Sequence, residues 1–170
     1  MKLCYAHVES SFGPIFLMAS DAGLFQLVLG EHELPLSFPS WEGRFGCEFA
    51  HDQDRFADIA TDLAGYFSGL QVEFDYRLDL RGASAFERAV WDKARRIPYG
   101  QARSYKWLAT QIRHPNAFQA VGRALSRNPL PIVIPCHRVI MQDASLGGFA
   151  AGVGWKDRLL RLERGELRML

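Results

Sequence analysis

An α+β architecture is expected of this chain, in two parts. A small N-terminal β-rich α/β domain should span residues 1–80, and a mainly helical domain with a winged-helix-like helix-turn-helix should span 81–170. Three observations lead there. Residues 3–30 set short apolar runs between Gly and Pro turn signals, the pattern of strands joined by tight turns. From Ser84 onward, apolar residues recur every three or four positions in successive segments. Between these regimes, Leu80-Arg81-Gly82 marks a boundary, and 170 residues suffice for two small domains.

The elements follow in order. Gly13-Pro14 and Asp21-Ala22-Gly23 are turns around the runs Ile15–Met18 and Leu24–Leu29. Residues 31–50, with Pro35, Pro39, Gly43 and Gly46, read as a loop. Phe56, Ile59, Leu63 and Phe67 have helical spacing, so Asp54 to Phe67 should be a helix. Val72 to Leu80 alternates apolar and polar residues, as a strand or a linker would. Ser84-Ala-Phe-Glu87 is a capping box, in which the Ser hydroxyl accepts from the N–H of Glu87 and Glu87 reaches back. Its helix should run to about Arg96 and bury Phe86, Ala89, Val90 and Ala94, ending at Pro98-Tyr99-Gly100. Ser104 can cap a second helix through Ile112, with Leu108 and Ile112 inward. Pro115 forbids its continuation. A third helix, Ala117 to about Arg127, should face Phe118, Val121 and Leu125 inward, leaving Gln119, Ala120 and Arg123 outside. Two short helices about a tight turn have the geometry of a helix-turn-helix. A last helix should run from Trp155 to Arg164.

Composition narrows the function. Hydrophobic residues are 48% and charged residues 23%, as in ordinary globular proteins. No run approaches the ~18 apolar residues of a membrane span. The N-terminus lacks the apolar core of a signal peptide, and Cys4, Cys47 and Cys136 are an odd set, so reduced thiols in a cytosol, bacterial by this reading, are expected. Net charge is only +1, yet Lys93 to Arg138 holds many Lys and Arg, Arg103 among them, and no Asp or Glu. A solvated basic face would look the same, but so long a run without acid favours an anionic partner.

The candidate chemistry lies in Pro131-Ile-Val-Ile-Pro135-Cys136-His137-Arg138-Val139-Ile140. An apolar setting pushes a thiol pKa above its ordinary ~8.5, so Cys136 needs an activating base. His137 is nearest, but adjacent side chains diverge, so a bridging water is required. Glu163 on the last helix is a candidate to orient the imidazole. A buried thiol can also be a plain small hydrophobe, the reading adopted for Cys4 and Cys47. Cys4-x-x-His7 and Cys47-x-x-x-His51 could in principle hold zinc, but no metal is expected.

The run Pro135–Val139, preceded by Asn128-Pro129, resembles the active-site signature of the O6-alkylguanine-DNA alkyltransferases (methylated-DNA–protein-cysteine methyltransferases). The resemblance takes in Pro98-Tyr99-Gly100, Ser104-Tyr105, Ala120-Val121-Gly122 and Gly147-Gly148-Phe149 ahead of Lys156 and Glu163. It implies that Cys136 takes the alkyl group from guanine O6 once and keeps it. His137 would take the thiol proton through water and Glu163 would steady His137. Tyr105 would donate to the guanine ring, and Asn128 would brace the turn. Backbone around Cys136 and Val139 would accept from the exocyclic amine. Pro135, Val139 and Phe149 would form an apolar slot, and Ala120, Arg103, Arg123 and Arg138 would join Gln119 in contacting DNA. The target base must be flipped out, at a cost of a few kcal/mol. The implied partner is duplex DNA bearing O6-alkylguanine, met by a monomer without cofactor.

Two departures from the family pattern matter. Gln119 stands where an Arg usually fills the gap left by the flipped base, so weaker binding or slower flipping is expected, with Arg123 a partial substitute. In Phe149-Ala150-Ala151 the loss of a hydroxyl should remove a hydrogen bond to guanine O6, and Ala151 should narrow the pocket, so bulky adducts should fit less well than methyl. Two other readings compete: an alkyltransferase-like protein that only flags damaged guanine, and a hydrolytic thiol enzyme.

Overall fold

The structure is a computed structural model that describes residues 1–30 and 46–167. It divides into two compact units, one of Met1–Asp79 and one beginning at Leu80.

The first unit is a four-stranded sheet with a helix. Strands β1 (Lys2–Ser10), β2 (Gly13–Ser20) and β3 (Gly23–Leu29) form an antiparallel meander, and β4 (Glu48–His51) adds parallel to β1, giving the order β3-β2-β1-β4. Alternation along the strands sorts the side chains. Leu3, Phe16 and Met18 cluster with Phe25 on one face. Ile15, Leu17 and Leu27 are buried on the other. A 3-10 turn (Asp54–Phe56) leads into α1 (Ala57–Phe67), which packs on β1 and buries Ile59, Leu63, Tyr66 and Phe67.

One expectation changes here. Of the supposed loop, residues 31–45 lie outside the described residues, and Glu48–His51 is a strand. Four residues carry no readable alternation; they are held by pairing with Lys2–Tyr5 of β1. The stretch from Val72, expected as a strand or a linker, belongs to no named strand and touches β3 through the bridge Leu24–Leu78. There Leu24 N–H donates to Arg77 O at 2.8 Å, Asp79 N–H donates to Leu24 O at 2.7 Å, and the Ser20 hydroxyl bonds the Asp79 carboxylate.

The second unit is mainly helical. α2 (Ala85–Ala94) starts on the expected capping box: Glu87 N–H donates to Ser84 Oγ at 3.2 Å, and Ser84 N–H donates to Glu87 Oε2 at 2.8 Å. Its buried face is Val90, Trp91 and Ala94; Ala89 is exposed and Phe86 half-buried, lying edge-on to His114. Trp91 displaces the expected face because its indole N–H donates to Ala124 O at 2.9 Å, which ties α2 to the third helix. Strand β5 (Arg103–Ser104) leads into α3 (Tyr105–Gln111), capped by Ser104 Oγ at 3.0 Å from Trp107 N. A turn with Arg113 at φ 63° joins it to α4 (Phe118–Ser126), completing the helix pair. α4 buries Val121, Ala124 and Leu125, but Phe118 is 49% exposed, contrary to expectation. It sits on the first turn of the helix.

Beyond α4 the chain returns through a buried loop to a 3-10 turn (Cys136–Arg138) and β6 (Val139–Ile140), and it ends on α5 (Val153–Glu163). β5 and β6 pair in parallel, Arg103 with Val139 and Ser104 with Ile140. That small sheet sets the start of α3, and with it Tyr105, beside the segment that follows Cys136.

Candidate active site

Asn128 organises the loop that presents the thiol. Its Oδ1 accepts from Leu130 N at 2.9 Å, and its Nδ2 donates to Ile134 O at 2.8 Å. The same amide nitrogen reaches Cys136 Sγ at 3.0 Å. Ile134 N–H donates to Leu130 O at 2.8 Å, closing the loop upon itself. Ile132 is at φ 74°, a conformation unfavourable for a β-branched residue, and it persists because the surrounding bonds fix it. Cys136 is 5% exposed. Burial pushes its thiol up to about 11, against the lowering pull of the Asn128 hydrogen bond and the Lys156 charge.

Behind the thiol lies a buried ionic cluster. His137 is fully buried and its Nε2 lies 2.6 Å from Glu163 Oε1. Arg138 Nε donates to both Glu163 oxygens at 3.2 and 3.0 Å, while its Nη2 donates to Oε1 at 2.9 Å. Its Nη1 donates to Ile97 O at 2.6 Å. Gly100 N–H adds a further bond to Glu163 Oε2 at 3.0 Å. Burial alone would raise the Glu163 carboxyl; His137 and then Arg138 outweigh it and hold it at about 2. Burial lowers His137 despite the carboxylate, so the imidazole is neutral, and the standing positive charge on Glu163 is that of Arg138. With the carboxylate at Nε2, that nitrogen carries the proton and Nδ1 is the basic one. Arg138 is thus corrected from a DNA contact to an internal counterion; its guanidinium is buried and engaged by Glu163 and Ile97.

Lys156 is a functional candidate whose role the sequence reading left unassigned. It is fully buried, and its Nζ donates to Val139 O at 2.6 Å, Gly148 O at 3.2 Å and Tyr105 Oη at 3.4 Å. It also lies 5.5 Å from the Tyr105 ring centroid. Burial lowers its ammonium to about 8, with the Cys136 sulfur acting the other way. A signal existed: Lys156, Leu159, Leu160 and Glu163 recur at i, i+3, i+4 and i+7, which puts both ionisable groups on the buried stripe of α5. Tyr105 is raised by burial and then by Cys136.

Cys136 opens onto a cleft of about 1040 Å³, which Tyr105, Gln119, Arg123, Phe149 and Ala150 also line. These candidates share one cleft. Others do not line it. Pro135 and Val139 are buried and do not line the cleft, because their side chains serve the core beneath it. The Val139 carbonyl is already an acceptor for Lys156. Ala120 is half-buried outside the lining. Arg103 is drawn aside, with Nη2 2.6 Å from Gln101 Oε1 and its guanidinium 5.6 Å from the Trp107 ring centroid. In the first unit, Cys4 lies on the sheet face opposite His7, and His51 pairs with Tyr5 on the His7 face. Among the described residues, no three His, Cys, Asp or Glu gather as a metal site.

This arrangement has relatives. The model of the 6-O-methylguanine DNA methyltransferase DNA-binding domain matches residues 85–165, and that of its ribonuclease-like domain matches 3–80. The chain is 38% identical over 164 residues to the methylated-DNA–protein-cysteine methyltransferase of Methanosarcina barkeri, covering 96% of this chain and 99% of that one. It is 40% identical over 160 residues to the protein of that name from Mycolicibacterium paratuberculosis, covering 94% and 92%. Among solved structures it is similar to Mycobacterium tuberculosis OGT in complex with DNA, at a TM-score of 0.83 and 36% identity over 97% of this chain and 95% of that one. The two matched ranges fall in both units and include Asn128, Cys136 and Glu163, and the chain belongs to the 6-O-methylguanine DNA methyltransferase family.

Proposed function

We propose that this protein repairs O6-alkylguanine in duplex DNA by moving the alkyl group onto Sγ of Cys136, once per molecule. The observation that carries the reading is the placement of Cys136 on the cleft, bonded to Asn128, with a neutral His137 fixed by Glu163 behind it.

The chemistry follows from the charges. A thiol at about 11 beside an imidazole lowered by burial rests as the neutral pair. Ionising it in advance would cost several kcal/mol. The proton therefore leaves as the bond forms. Sγ attacks the alkyl carbon from the side opposite O6, and a bridging water passes the thiol proton to Nδ1 of His137. The Asn128 amide stabilises the sulfur's developing charge. The S–C bond forms, the C–O6 bond breaks, and its electron pair passes into the purine. The purine is protonated in turn, with the Tyr105 hydroxyl donating to the ring. Charge on His137 in the transition state is met by Glu163. The thioether product is inert, so the protein is consumed. A base paired within a duplex cannot reach so buried a sulfur, and it must be extruded into the cleft. On this reading residues 81–170 bind DNA and carry the reaction, while 1–80 are structural support, and a monomer suffices.

The test is stoichiometric incubation with duplex O6-methylguanine DNA followed by mass analysis of the Cys136 peptide. The proposal predicts a gain of one methylene per protein, lost in Cys136→Ala. Binding without a mass change would instead identify a lesion-flagging protein. Repeated turnover would identify a hydrolytic enzyme.

A further inference from the structure

We propose that Phe118, on the first turn of α4, is the wedge that enters the base stack when the target nucleotide leaves it. The inference rests on the DNA-repair reading above and adds a positioning residue to it.

Flipping a nucleotide leaves a gap whose flanking bases have lost a stacking partner. Proteins that distort duplexes fill such gaps with apolar side chains. Phe118 has the required chemistry and position. It is a planar aromatic, 49% exposed, on the cleft that also reaches Cys136. A ring so exposed contributes little to the core. Its partners in the cleft wall point to nucleic acid. Lys106 and Arg123 line the same cleft, Asn116 and Gln119 add neutral polar groups, and no Asp or Glu is among the lining residues. Met141, 47% exposed, is a further apolar group of the lining. Cations beside an exposed aromatic ring are the pairing that binds a phosphate backbone while stacking on a base. Gln119 follows Phe118 on the helix and lacks both charge and an aromatic ring, so the Phe118 ring is the better of the two at holding the gap.

The test compares the rate of methyl transfer from duplex O6-methylguanine DNA with that from the same strand unpaired, where no stack needs holding open. For Phe118→Ala the duplex-to-single-strand ratio should fall about tenfold, as expected for losing one stacking contact. Phe118→Leu, which keeps an apolar wedge, should recover most of it. A second readout needs no transfer: 2-aminopurine placed beside the lesion should brighten on binding wild-type protein, and brighten much less with Phe118→Ala. An unchanged ratio, or equal brightening by both proteins, overturns the wedge. Absence of methyl transfer by wild type from either substrate would sink the repair reading instead, and the fluorescence comparison would still decide the role of Phe118.

Discussion

Glu163 accepts hydrogen bonds from three sides: His137, Arg138 and the Gly100 backbone all donate to its carboxylate. Removing its charge in Glu163→Gln leaves the Arg138 guanidinium buried without a counterion, and the His137 tautomer loses its anchor. Breaking a buried pair in this way typically costs ~3–5 kcal/mol, which denaturant unfolding would measure. The loss should depend on pH. The Glu163 carboxyl is held at about 2, below its ordinary 4.5, so its stabilisation is complete above the ordinary value and fades as pH falls through the depressed one. Wild type and Glu163→Gln should therefore converge in stability as pH drops below 4.5. A gap that stays constant into acid would show that the carboxylate is not the source. Part of this was open to sequence reasoning, since a thiol needs a base and a base needs an orienter. The place of Arg138 was not. Its contact with Glu163 spans 25 residues, and only the fold closes it.

The elements show where periodicity informs and where it stops. Ser84 and Ser104 cap helices where expected, because the side-chain oxygen and the orphan backbone N–H are local partners. Burial is decided at longer range. Trp91 is buried with its indole N–H on Ala124 O, and Phe118 is exposed although it shares a helical stripe with Val121 and Leu125. β4 was hidden for a similar reason, being four residues held by their partner strand. The glycine loop before α5 makes a sharper demand. Gly147 has φ +68°, and a Cβ there would come within 2.9 Å of Tyr105 Oη. Gly147→Ala should push Tyr105 off the Lys156 side of the cleft and slow single-turnover methyl transfer by about ten- to a hundredfold, as small misplacements do. Its effect on stability should stay near ~1 kcal/mol, the cost of a left-handed alanine. A wild-type rate would mean that Tyr105 does not position the base.

Across the whole molecule, the positive charge is unevenly spread along the chain. The chain is nearly neutral at +1, yet the segment Lys93 to Arg138 carries cations without acids. Arg103, Arg127 and Arg138 are engaged within the protein, while Lys106 and Arg123 line the cleft. Every group assigned to the reaction lies in the unit that begins at Leu80. What joins these groups into one account is the claim that the alkyl carbon itself ends on Cys136. Duplex DNA with an isotopically labelled O6-methyl group tests it. The NMR spectrum should show the label leaving DNA and appearing as one S-methyl signal per protein, absent in Cys136→Ala. Label released as methanol, or retained on guanine after saturating incubation, would contradict the account.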